Sequence, residues 1–580
     1  MTALSPALPR SLPWQLPRPR FPSETLFALT VSALWLLVYN GRFWREVFTS
    51  LWHPGFSGVL FIVALATLVL FLQALLLLLV PSQRGMRAAA ALLCVVGSAQ
   101  AYFTSTFGAV INVDMVRNVF ETDRSEAGDL LTLSLFLHVA VLGVLPAIFA
   151  WRARLPFLSL RRQWARRGAF IGIGLVVSLG LALASSASFA VFLREHKPLR
   201  SMISPISTVW STGAYLAGQL RAGESQSMLP DPGGPARRVS EATPAATRKP
   251  TLVVLVVGET ARAANFQLGG YARETNPELM LRPDLLYFAN ATSCGTSTAI
   301  SVPCMFSQGG RSNFTPAEAA RIPNLLDVLG SVSVDVTWLD NNSGCKGACA
   351  RVPTLNLGAG HQGQQQQANA TACKDAMCLD SILGEALSAQ LAIRSPGGAD
   401  QLIVLHQNGS HGPAYSERYP AEDEHFRPAC HSNRLDTCSS DEVVNAYDNS
   451  IRYTDKMLAA LIAQLEAHQG EFNSLLIYAS DHGESLGEQG LYLHGMPYSF
   501  APSQQKHVPM LMWVSPGLRE YHRLDATCLA EQALLPVSHD NLFHTVLGAF
   551  GVRNQSYRSG MDLISTCAGS RDGMKVALER

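Results

Sequence analysis

The chain has 580 residues, of which 48% are hydrophobic and only 15% charged, with 45 Lys and Arg against 44 Asp and Glu. Soluble proteins usually carry about a quarter charged residues, so the composition excludes a disordered chain, and a net charge of +1 excludes a nucleic-acid binder held by bulk positive charge. Residues 1–200 nevertheless hold 18 basic and 8 acidic groups, whereas residues 201–580 hold 27 and 36. This asymmetry indicates two physically different domains.

Five apolar stretches occupy the first third of the chain, at 24–40, 56–80, 88–108, 129–151 and 168–193. The second stretch contains no charged residue in 25 positions, and at about 1.5 Å per residue such a helix exceeds the ~30 Å hydrocarbon core of a bilayer. The first stretch contains Trp35 and follows a Pro-rich lead, which favours an uncleaved anchor over a secretory signal. The pattern predicts a five-span α-helical transmembrane domain over 1–194.

Arginine residues predict the orientation of these spans. They cluster before the first stretch, between the second and third, and between the fourth and fifth: Arg10, Arg18, Arg20; Arg84, Arg87; Arg152, Arg154, Arg161, Arg162, Arg166 and Arg167. Cytoplasmic loops are enriched in Lys and Arg. We therefore expect a cytoplasmic N-terminus and, after five spans, a C-terminal part on the opposite side of the membrane.

Cysteine positions support this location. Ten of the 11 cysteines lie beyond residue 290, and the other, Cys94, lies in a predicted span. An even number of clustered cysteines is typical of an oxidising compartment, and the alternative of structural zinc sites would need CxxC pairs, which are absent. Proximity in the sequence predicts the disulfides Cys294–Cys304, Cys345–Cys349, Cys373–Cys378, Cys430–Cys438 and Cys528–Cys567.

Beyond the spans, residues 195–250 are predicted to form a bridging segment. A weakly amphipathic piece from Ile203 to Leu220 predicts a helix on the membrane surface followed by a flexible tether, with a plain linker as the alternative. From residue 251, strands are predicted at 252–257, 334–339, 402–405, 475–478 and 508–514, and helices at 322–329, 376–392, 441–467 and 539–550. Continuous apolar runs are typical of strands covered on both faces, so 251–580 is predicted as an α/β domain with a mostly parallel sheet.

Ligand-type residues follow two of these strands, where functional groups gather in parallel sheets. The first strand ends in Gly258-Glu259-Thr260 and a later one in Ser480-Asp481-His482-Gly483-Glu484. Asp, Glu and His together suit Zn²⁺ or Mn²⁺, and two strand ends with matching chemistry favour a metal site over a loop ion pair. The loop Cys294 to Cys304 is rich in hydroxyls, and a hydroxyl beside a divalent metal can attack phosphorus or sulfur. A helix N-cap cluster is the alternative for this loop.

Six motifs occur in one order along the chain: Val257 to Arg262, Gly269 to Tyr271, Cys294 to Ser307, Asp340 to Ser343, His411 to Pro413, and Ser480 to Glu484 followed by His494-Gly495. Together they resemble the lipid A phosphoethanolamine transferases, bacterial inner-membrane enzymes that include the mobile colistin-resistance proteins. The resemblance covers nearly the whole chain. It implies a periplasmic catalytic domain of the alkaline phosphatase and sulfatase-like fold over 251–580, and we expect a monomer.

The resemblance also implies roles for individual residues. Thr298 matches the nucleophile, and one tight zinc site is implied for Glu259, Thr298, Asp481 and His482. The groups around the phosphoryl and ethanolamine moieties are implied to be Asn342, Ser343, Lys346, His411 and His494, of which the two histidines are candidates for a second zinc. His406, which ends a strand nearby, is either a further site group or a packed histidine.

One segment of the first third also matches the family. Asn118, Thr122 and Glu126 are spaced i, i+4 and i+8, so one helical face would present an amide, a hydroxyl and a carboxylate. The matching residues of the family contact the donor headgroup, and a carboxylate would suit the ammonium. From the residues alone, a solvated helix face is the alternative.

The resemblance implies transfer of phosphoethanolamine from phosphatidylethanolamine to lipid A through a phosphothreonine, with His411 or His494 as general acid and Lys346 adding positive charge. The added cation would weaken the binding of polymyxin to the cell surface. Two alternatives remain: a core sugar or Kdo acceptor, or a membrane-tethered sulfatase or phosphatase. Val302 to Phe306 lacks the CxPxR-type motif of sulfatases. A non-enzymatic anchor or sensor is disfavoured by so many ligand-type residues.

Overall fold

The structure is a computed structural model that describes residues 19–121, 124–223, 228–239, 248–358, 373–374, 377–393 and 398–569. These residues divide into two compact units. The first comprises the described parts of Met1–Ser105 and Leu133–Val209, and the second those of Thr106–Thr132 and Trp210–Arg580. The predicted division at residues 194 and 250 stays a prediction. The packing adds that Thr106–Thr132, from the apolar third of the chain, belongs with the second unit.

Four helices in the described residues are long and apolar enough to cross a membrane: Phe56–Leu78, Gln83–Phe107, Leu133–Arg152 and Leu160–Ala184. A fifth span is present if two consecutive helices, Glu24–Tyr39 and Gly41–Ser50, are taken as one span that is bent by 65°. The last span differs from the predicted 168–193, because the preceding Arg-rich turn is also helical and the helix stops at Ser185. Further helices follow at Ser186–Glu195 and Lys197–Arg200.

Asn40 stands at the bend in the first span. Its Nδ2 donates to the Trp35 carbonyl at 2.8 Å and to the Ser204 carbonyl at 2.9 Å, while its Oδ1 accepts from the Ser204 amide at 2.8 Å. Backbone groups exposed by a helix break in a membrane require internal partners. The Asn40 side chain supplies them and attaches the chain around Ser204 to the first unit.

A buried ion pair stabilises the same unit. Arg167 and Glu24, whose side chains are 1% and 5% exposed, approach to 2.8 Å. Arg167 also donates to the Leu78 carbonyl at 2.8 Å. Both Glu24 oxygens accept further bonds, from Gln83 Nε2 at 2.7 Å and from Gln163 Nε2 at 3.1 Å. Every charge of this cluster therefore has a partner within the protein.

Three helices of the second unit come from outside its sheet domain: Val113–Glu121, Arg124–Leu130 and the end of Ile206–Gly223. The last of these confirms that the predicted piece from Ile203 to Leu220 is helical, although it begins after Pro205. Its position on a membrane surface stays a prediction. The Phe120 and Tyr215 rings stack at 5.2 Å, so two of these helices pack together.

The second unit is built on seven strands: β1 (Thr251–Gly258), β2 (Leu285–Phe288), β3 (Asp335–Asp340), β4 (Thr354–Asn356), β5 (Gln401–His406), β6 (Asn473–Ser480) and β7 (Met510–Val514). Their order in the sheet is β2-β7-β6-β1-β5-β3-β4. The five strands from β6 to β4 are parallel, and β7 pairs antiparallel with both of its neighbours, β6 and β2. The predicted mostly parallel sheet is confirmed. The short edge strands β2 and β4 were missed because they carry no long apolar run.

Helices cover both faces of the sheet: Thr298–Met305, Leu325–Gly330, Ser381–Ala392, Ser440–Ala467, Pro516–His522, Ala526–Gln532 and Asp540–Ala549. Alternate residues of β1 enter different cores, with Val253 on one face and Leu252 on the other. The predicted helix 376–392 begins only at Ser381, because Cys373–Lys374 and Met377–Cys378 pair as antiparallel strands. The five predicted disulfides are all present, and Cys94 is a buried free thiol.

Candidate active site

The site is formed where β1 and β6 end. These strands are parallel neighbours with Gly258 opposite Ser480, so the next residues, Glu259 and Asp481, lie side by side. The Asp481 amide donates to the Gly258 carbonyl at 2.9 Å, and the Thr260 amide donates to Asp481 Oδ1 at 3.2 Å. The register of two central strands thus joins residues that are more than 200 positions apart in the sequence.

Glu259, Asp481 and His482 form a buried cluster whose ligand atoms lie within 4.8 Å of one another. The His482 Nδ1–H donates to the Gly483 carbonyl at 3.0 Å, which leaves Nε2 directed at the carboxylates. Nε2 lies 3.4 Å from Glu259 Oε1 and 3.5 Å from Asp481 Oδ2. The cluster therefore presents two carboxylates and one imidazole nitrogen to a common point.

Burial and mutual charge interactions shift the pKa values of all three residues of this cluster. Burial raises the pKa of Asp481 well above its ordinary value, and the Glu259 charge adds to the rise. Burial also opposes ionisation of Glu259, but the facing histidines, His482 first, outweigh it and bring its pKa to about 2. Burial lowers the pKa of His482 to about 3, so that its ring is neutral at pH 7.

The donor set fits a divalent cation. Asp481 Oδ2 is buried and has no hydrogen-bond partner among the residues that the structure describes. Buried polar atoms normally find a partner, and an ionised buried carboxylate is costly without a counter-charge. Oxygen and imidazole donors converging from turns are typical of a zinc site.

Thr298 begins the helix Thr298–Met305 beside this cluster. Its Oγ1 donates to Glu259 Oε2 at 3.1 Å and lies 3.4 Å from His482 Nε2. Thr298 is only partly buried, whereas the three cluster residues are fully buried. The N-terminus of a helix favours negative charge, so the hydroxyl stands where an alkoxide or a phosphoryl group would be stabilised.

The loop that carries Thr298 is attached to the strand ends. Ser301 Oγ donates to the Asp481 carbonyl at 2.5 Å, and the Cys294 amide donates to His539 Nδ1 at 3.0 Å. His539 Nε2 in turn donates to the Ser480 carbonyl at 2.9 Å. The Cys294–Cys304 disulfide closes the same loop. His539 was not predicted as a site residue, because it caps a helix far along the chain and belongs to no motif.

Asn342, Ser343 and Lys346 surround the opening. Asn342 Nδ2 donates to Glu259 Oε2 at 2.9 Å and to the Gln407 carbonyl at 2.6 Å. Lys346 Nζ donates to Ser343 Oγ at 2.9 Å and to the Glu121 carbonyl at 3.1 Å. The structure therefore places these three predicted residues at the site, and adds Glu121, which no sequence motif indicated.

A histidine cluster borders the carboxylates. The His494 ring lies 4.4 Å from that of His482 and 5.1 Å from that of His411, between ring centroids. His494 Nδ1 is 3.2 Å from Glu484 Oε2. Burial tends to lower the pKa of His494, but the Glu484 carboxylate raises it above its ordinary value. Glu484 was only part of a motif in the sequence, and the structure makes it the partner of His494.

The predicted headgroup segment reaches the same pocket. Asn118 lines it together with Thr298, Lys346 and His494. Gly495 has φ +86°, and a side chain there would meet Asn118 Nδ2 at 3.3 Å, so the close approach suits glycine. Of the other two predicted residues, Thr122 lies outside the described residues. Glu126 lies in the helix Arg124–Leu130, and its side chain is also outside the described part.

His406 is a packed histidine. It is fully buried, its Nδ1 lies 3.1 Å from Asp340 Oδ2, and its ring packs against Trp338 at 5.5 Å. Burial opposes ionisation of Asp340, but His406 lowers the pKa of that carboxyl below its ordinary value. Asp340 Oδ1 accepts from the Asn342 amide at 2.9 Å, so the pair orders the turn behind the site.

Two family models match the chain: "Sulfatase" over residues 251–552 and "Phosphoethanolamine transferase EptA/EptB" over residues 68–220. The phosphoethanolamine transferase EptA of Escherichia coli strain K12 is 36% identical over 557 residues, which cover 94% of this chain and 98% of that protein. The phosphatidylethanolamine transferase Mcr-1 of Escherichia coli is 36% identical over 461 residues, which cover 80% and 83%.

Among solved structures, the integral membrane lipooligosaccharide phosphoethanolamine transferase A (EptA) of Neisseria meningitidis matches with a TM-score of 0.87 and 32% identity, covering 95% of this chain and 100% of that one. The match includes both the apolar helices and the sulfatase-like domain, so the predicted fold class is confirmed. The named relatives are transferases, which disfavours the sulfatase or phosphatase alternative. The chain belongs to the EptA/EptB family of phosphoethanolamine transferases.

Proposed function

We propose that this enzyme transfers phosphoethanolamine from phosphatidylethanolamine to a phosphate of lipid A through a covalent intermediate on Thr298. The observation that carries the proposal is the Thr298 hydroxyl, which stands at the mouth of a buried acid and histidine cluster, 3.1 Å from Glu259. The name of Mcr-1 supports the donor. A more distant relative, the Kdo(2)-lipid A phosphoethanolamine 7''-transferase of Escherichia coli, is 26% identical over 89% of the chain, and its name supports the alternative acceptor, Kdo.

Zn²⁺ is the cofactor that the donor set suits. Glu259, Asp481 and His482 would hold it together with the Thr298 oxygen, and the unpartnered Asp481 Oδ2 supports this fit. When bound, zinc supplies Lewis-acid chemistry that favours the ionised threonine and neutralises phosphoryl charge. His411 and His494 are the candidate ligands of a second ion.

In the first half-reaction, the Thr298 hydroxyl, oriented by its hydrogen bond to Glu259, releases its proton to solvent, and its oxygen forms a bond to the donor phosphorus. The bond between phosphorus and the glycerol oxygen breaks, and diacylglycerol leaves with a proton from His494 or its neighbour His411. Glu484 raises the pKa of His494 and so favours its protonated form. The product of this half is phosphoethanolamine on Thr298.

The remaining groups position and neutralise the phosphoryl oxygens. The Lys346 ammonium and the helix N-terminus at Thr298 provide positive potential, while Asn342 and Ser343 provide hydrogen bonds at the opening. Asn118 and the segment after it would face the ethanolamine. In the second half-reaction, a lipid A phosphate oxygen attacks phosphorus and the bond to the Thr298 oxygen breaks, and Thr298 and the histidine regain from the acceptor phosphate and solvent the protons that they lost.

Both substrates are membrane lipids, so the proposal requires the catalytic domain to work at a membrane surface. The arginine distribution supports a cytoplasmic N-terminus, and the five disulfides support a periplasmic catalytic domain of an inner-membrane protein. Attachment of a cationic group to a phosphate reduces the negative charge of the cell surface. We therefore expect weaker binding of polymyxin and related cationic peptides.

The test is mass spectrometry of lipopolysaccharide from cells that express either the intact chain or Thr298→Ala. The intact chain should add phosphoethanolamine to the lipid A fragment, and the variant should add none, at equal amounts of membrane-inserted protein. If phosphoethanolamine appears only on the Kdo or core fragment, the acceptor is a Kdo or core sugar and not lipid A, and the proposed transfer chemistry is retained. Equal modification by Thr298→Ala would refute the covalent mechanism.

A further inference from the structure

Arg418 connects His411 of the site to the segment Thr106–Thr132, which carries Asn118 and is called here the headgroup segment. It lies in the loop after β5, and its side chain is 2% exposed. Its Nε donates to the His411 carbonyl at 2.8 Å, and its Nη2 lies 3.6 Å from Asp129 Oδ2. Asp129 belongs to the helix Arg124–Leu130, which follows the helix of Asn118. One guanidinium therefore contacts both the backbone of His411 and the segment Thr106–Thr132.

Asp129 is held on its other side as well. Its Oδ1 accepts a hydrogen bond from Asn433 Nδ2 at 3.3 Å, and its side chain is only 14% exposed. A second connection lies nearby, since Lys346 Nζ donates to the Glu121 carbonyl at 3.1 Å. The segment that carries Asn118 is thus joined to the sheet domain at two places, and each connection ends on a residue of the proposed site.

The chemistry of the guanidinium suits this double contact. Arginine has five N–H donors in a rigid plane and can satisfy a carbonyl and a carboxylate together, whereas lysine is a compact point charge on a flexible stem. Because the pair is largely buried, its attraction is weakly screened by solvent. Removing one charge would leave the other buried without its partner, which is costly.

We propose that Asp129 and Arg418 form a positioning pair. When the segment Thr106–Thr132 is docked on the sheet domain, Asp129 holds Arg418, and Arg418 holds the His411 backbone and so sets the position of the His411 imidazole. The proposal rests on the proposed function, in which His411 stands beside the general acid. Neither residue of the pair touches the reacting atoms in this structure. Their effect passes through the His411 backbone to its ring, which lies 5.1 Å from the His494 ring. Donor binding and proton delivery are thereby coupled.

The experiment uses the purified full-length enzyme in detergent, with phosphatidylethanolamine as the varied substrate and lipid A as the acceptor. Asp129→Asn retains the shape but not the charge, and should raise the KM for the donor and lower kcat, each by about fivefold to tenfold. Arg418→Lys should lower kcat by at least about tenfold, because it loses the bond to the His411 carbonyl. The double variant should be no worse than Arg418→Lys alone, and Asp129→Glu should recover most of the activity.

A matched control is the pair of Arg434 and Asp436 in the same loop, which are 3.3 Å apart and whose side chains are 42% and 43% exposed. Arg434→Lys should leave both kinetic constants unchanged, since exposed ion pairs contribute little. The unfolding temperature of Asp129→Asn should fall, because Arg418 is left buried without its partner, but the variant should remain folded at the assay temperature.

The positioning pair is refuted if Asp129→Asn and Arg418→Lys retain the kcat and KM of the intact chain. It is also refuted if the loss of activity in each variant only matches its fraction of unfolded enzyme at the assay temperature, because that pattern describes a merely structural ion pair. Thr298→Ala is measured in the same assay. Activity of Thr298→Ala would overturn the proposed function itself. If Thr298→Ala is inactive but Asp129→Asn has the kcat and KM of the intact enzyme, only the proposal of a positioning pair is overturned.

Discussion

The two units each bury carboxylates, but they treat their charge differently. In the first unit, Glu24 has a guanidinium at 2.8 Å and amide donors on both oxygens. In the second unit, Glu259 and Asp481 lie together, with His482 as the nearest ring and its pKa lowered to about 3. The first cluster contains its own cation, whereas the ion-pair partner of both carboxylates in the second cluster is the His482 ring.

This difference distinguishes a structural cluster from a binding site. A buried ion pair whose members are fully hydrogen-bonded completes its own electrostatics and serves to hold helices together. A pair of buried carboxylates facing a neutral imidazole is stable only when a cation arrives or when a proton remains on one of them. Strongly shifted pKa values beside a nucleophile are typical of functional sites, and Thr298 stands at this point.

The largest expected effect is on the second cluster. Removal of metal with a chelator, or the change Asp481→Asn, should lower transfer activity by about a thousandfold or more, because both phosphoryl charge and threonine ionisation lose their support. Added Zn²⁺ should restore the chelated enzyme and raise its unfolding temperature. The measurements are metal content per chain, activity and thermal unfolding. Full activity of enzyme that contains no metal would contradict the claim that the second cluster is a cation-binding site.

The first cluster should respond to loss of a partner with a loss of stability, not of chemistry. Arg167→Met leaves Glu24 buried without its cation and should cost about 3–5 kcal/mol in the free energy of unfolding. Combining it with Glu24→Gln should recover part of this loss. Metal content should stay at the level of the intact chain in both variants, as measured after purification in detergent. A variant that unfolds normally but loses its metal would show that the two clusters are not separate in function.

The smallest expected effect concerns the loop of Thr298 in acid. Burial lowers the pKa of His539 to about 4, so below about pH 6.5 the unfolded chain binds a proton that the folded chain does not. Stability should therefore be unaffected at pH 7 and fall as the pH decreases, by about 2 kcal/mol at pH 5 from this group. The measurement is the unfolding free energy of the intact chain and of His539→Gln between pH 7 and 5, and the variant should lose that part of the slope.

His544 offers a matched control for this prediction. Burial lowers its pKa to about 4 as well, but it accepts from the Arg558 amide and not from the Cys294 loop. His544→Gln should also reduce the acid sensitivity of stability, but it should not change transfer activity between pH 7 and 5, whereas His539→Gln should lower that activity because it loosens the loop of Thr298. If His539→Gln changes neither stability nor activity, the histidine does not hold the loop.

Much of the site could be predicted because strand ends carry it. Glu259 and Asp481 follow long apolar runs, and the ends of neighbouring parallel strands meet at one edge of a sheet. The hydroxyl-rich loop was recognisable from its composition and from two cysteines. The edge strands β2 and β4 were not, since three or four partly exposed residues leave no periodic signal.

Other residues depend on contacts that no local pattern records. Glu121 reaches Lys346 across 225 positions through a backbone carbonyl, which carries no side-chain signal. His406 and His494 are both histidines near strand ends, yet one packs beside Asp340 and the other faces the pocket. In the sequence, Arg418 is one basic residue of a polar loop, and only the fold brings it to His411 and Asp129. Long-range packing decides these roles, and the sequence pattern alone does not contain it.

The most direct test of the account is the covalent state of Thr298. The purified enzyme is incubated with phosphatidylethanolamine in the absence of an acceptor, quenched in acid and mapped by peptide mass spectrometry. We expect phosphoethanolamine on the peptide that contains Thr298, its absence in Thr298→Ala, and its discharge when lipid A is added before quenching. Turnover of the donor with an unmodified Thr298 peptide, or a modification on another residue that discharges to lipid A, would contradict it.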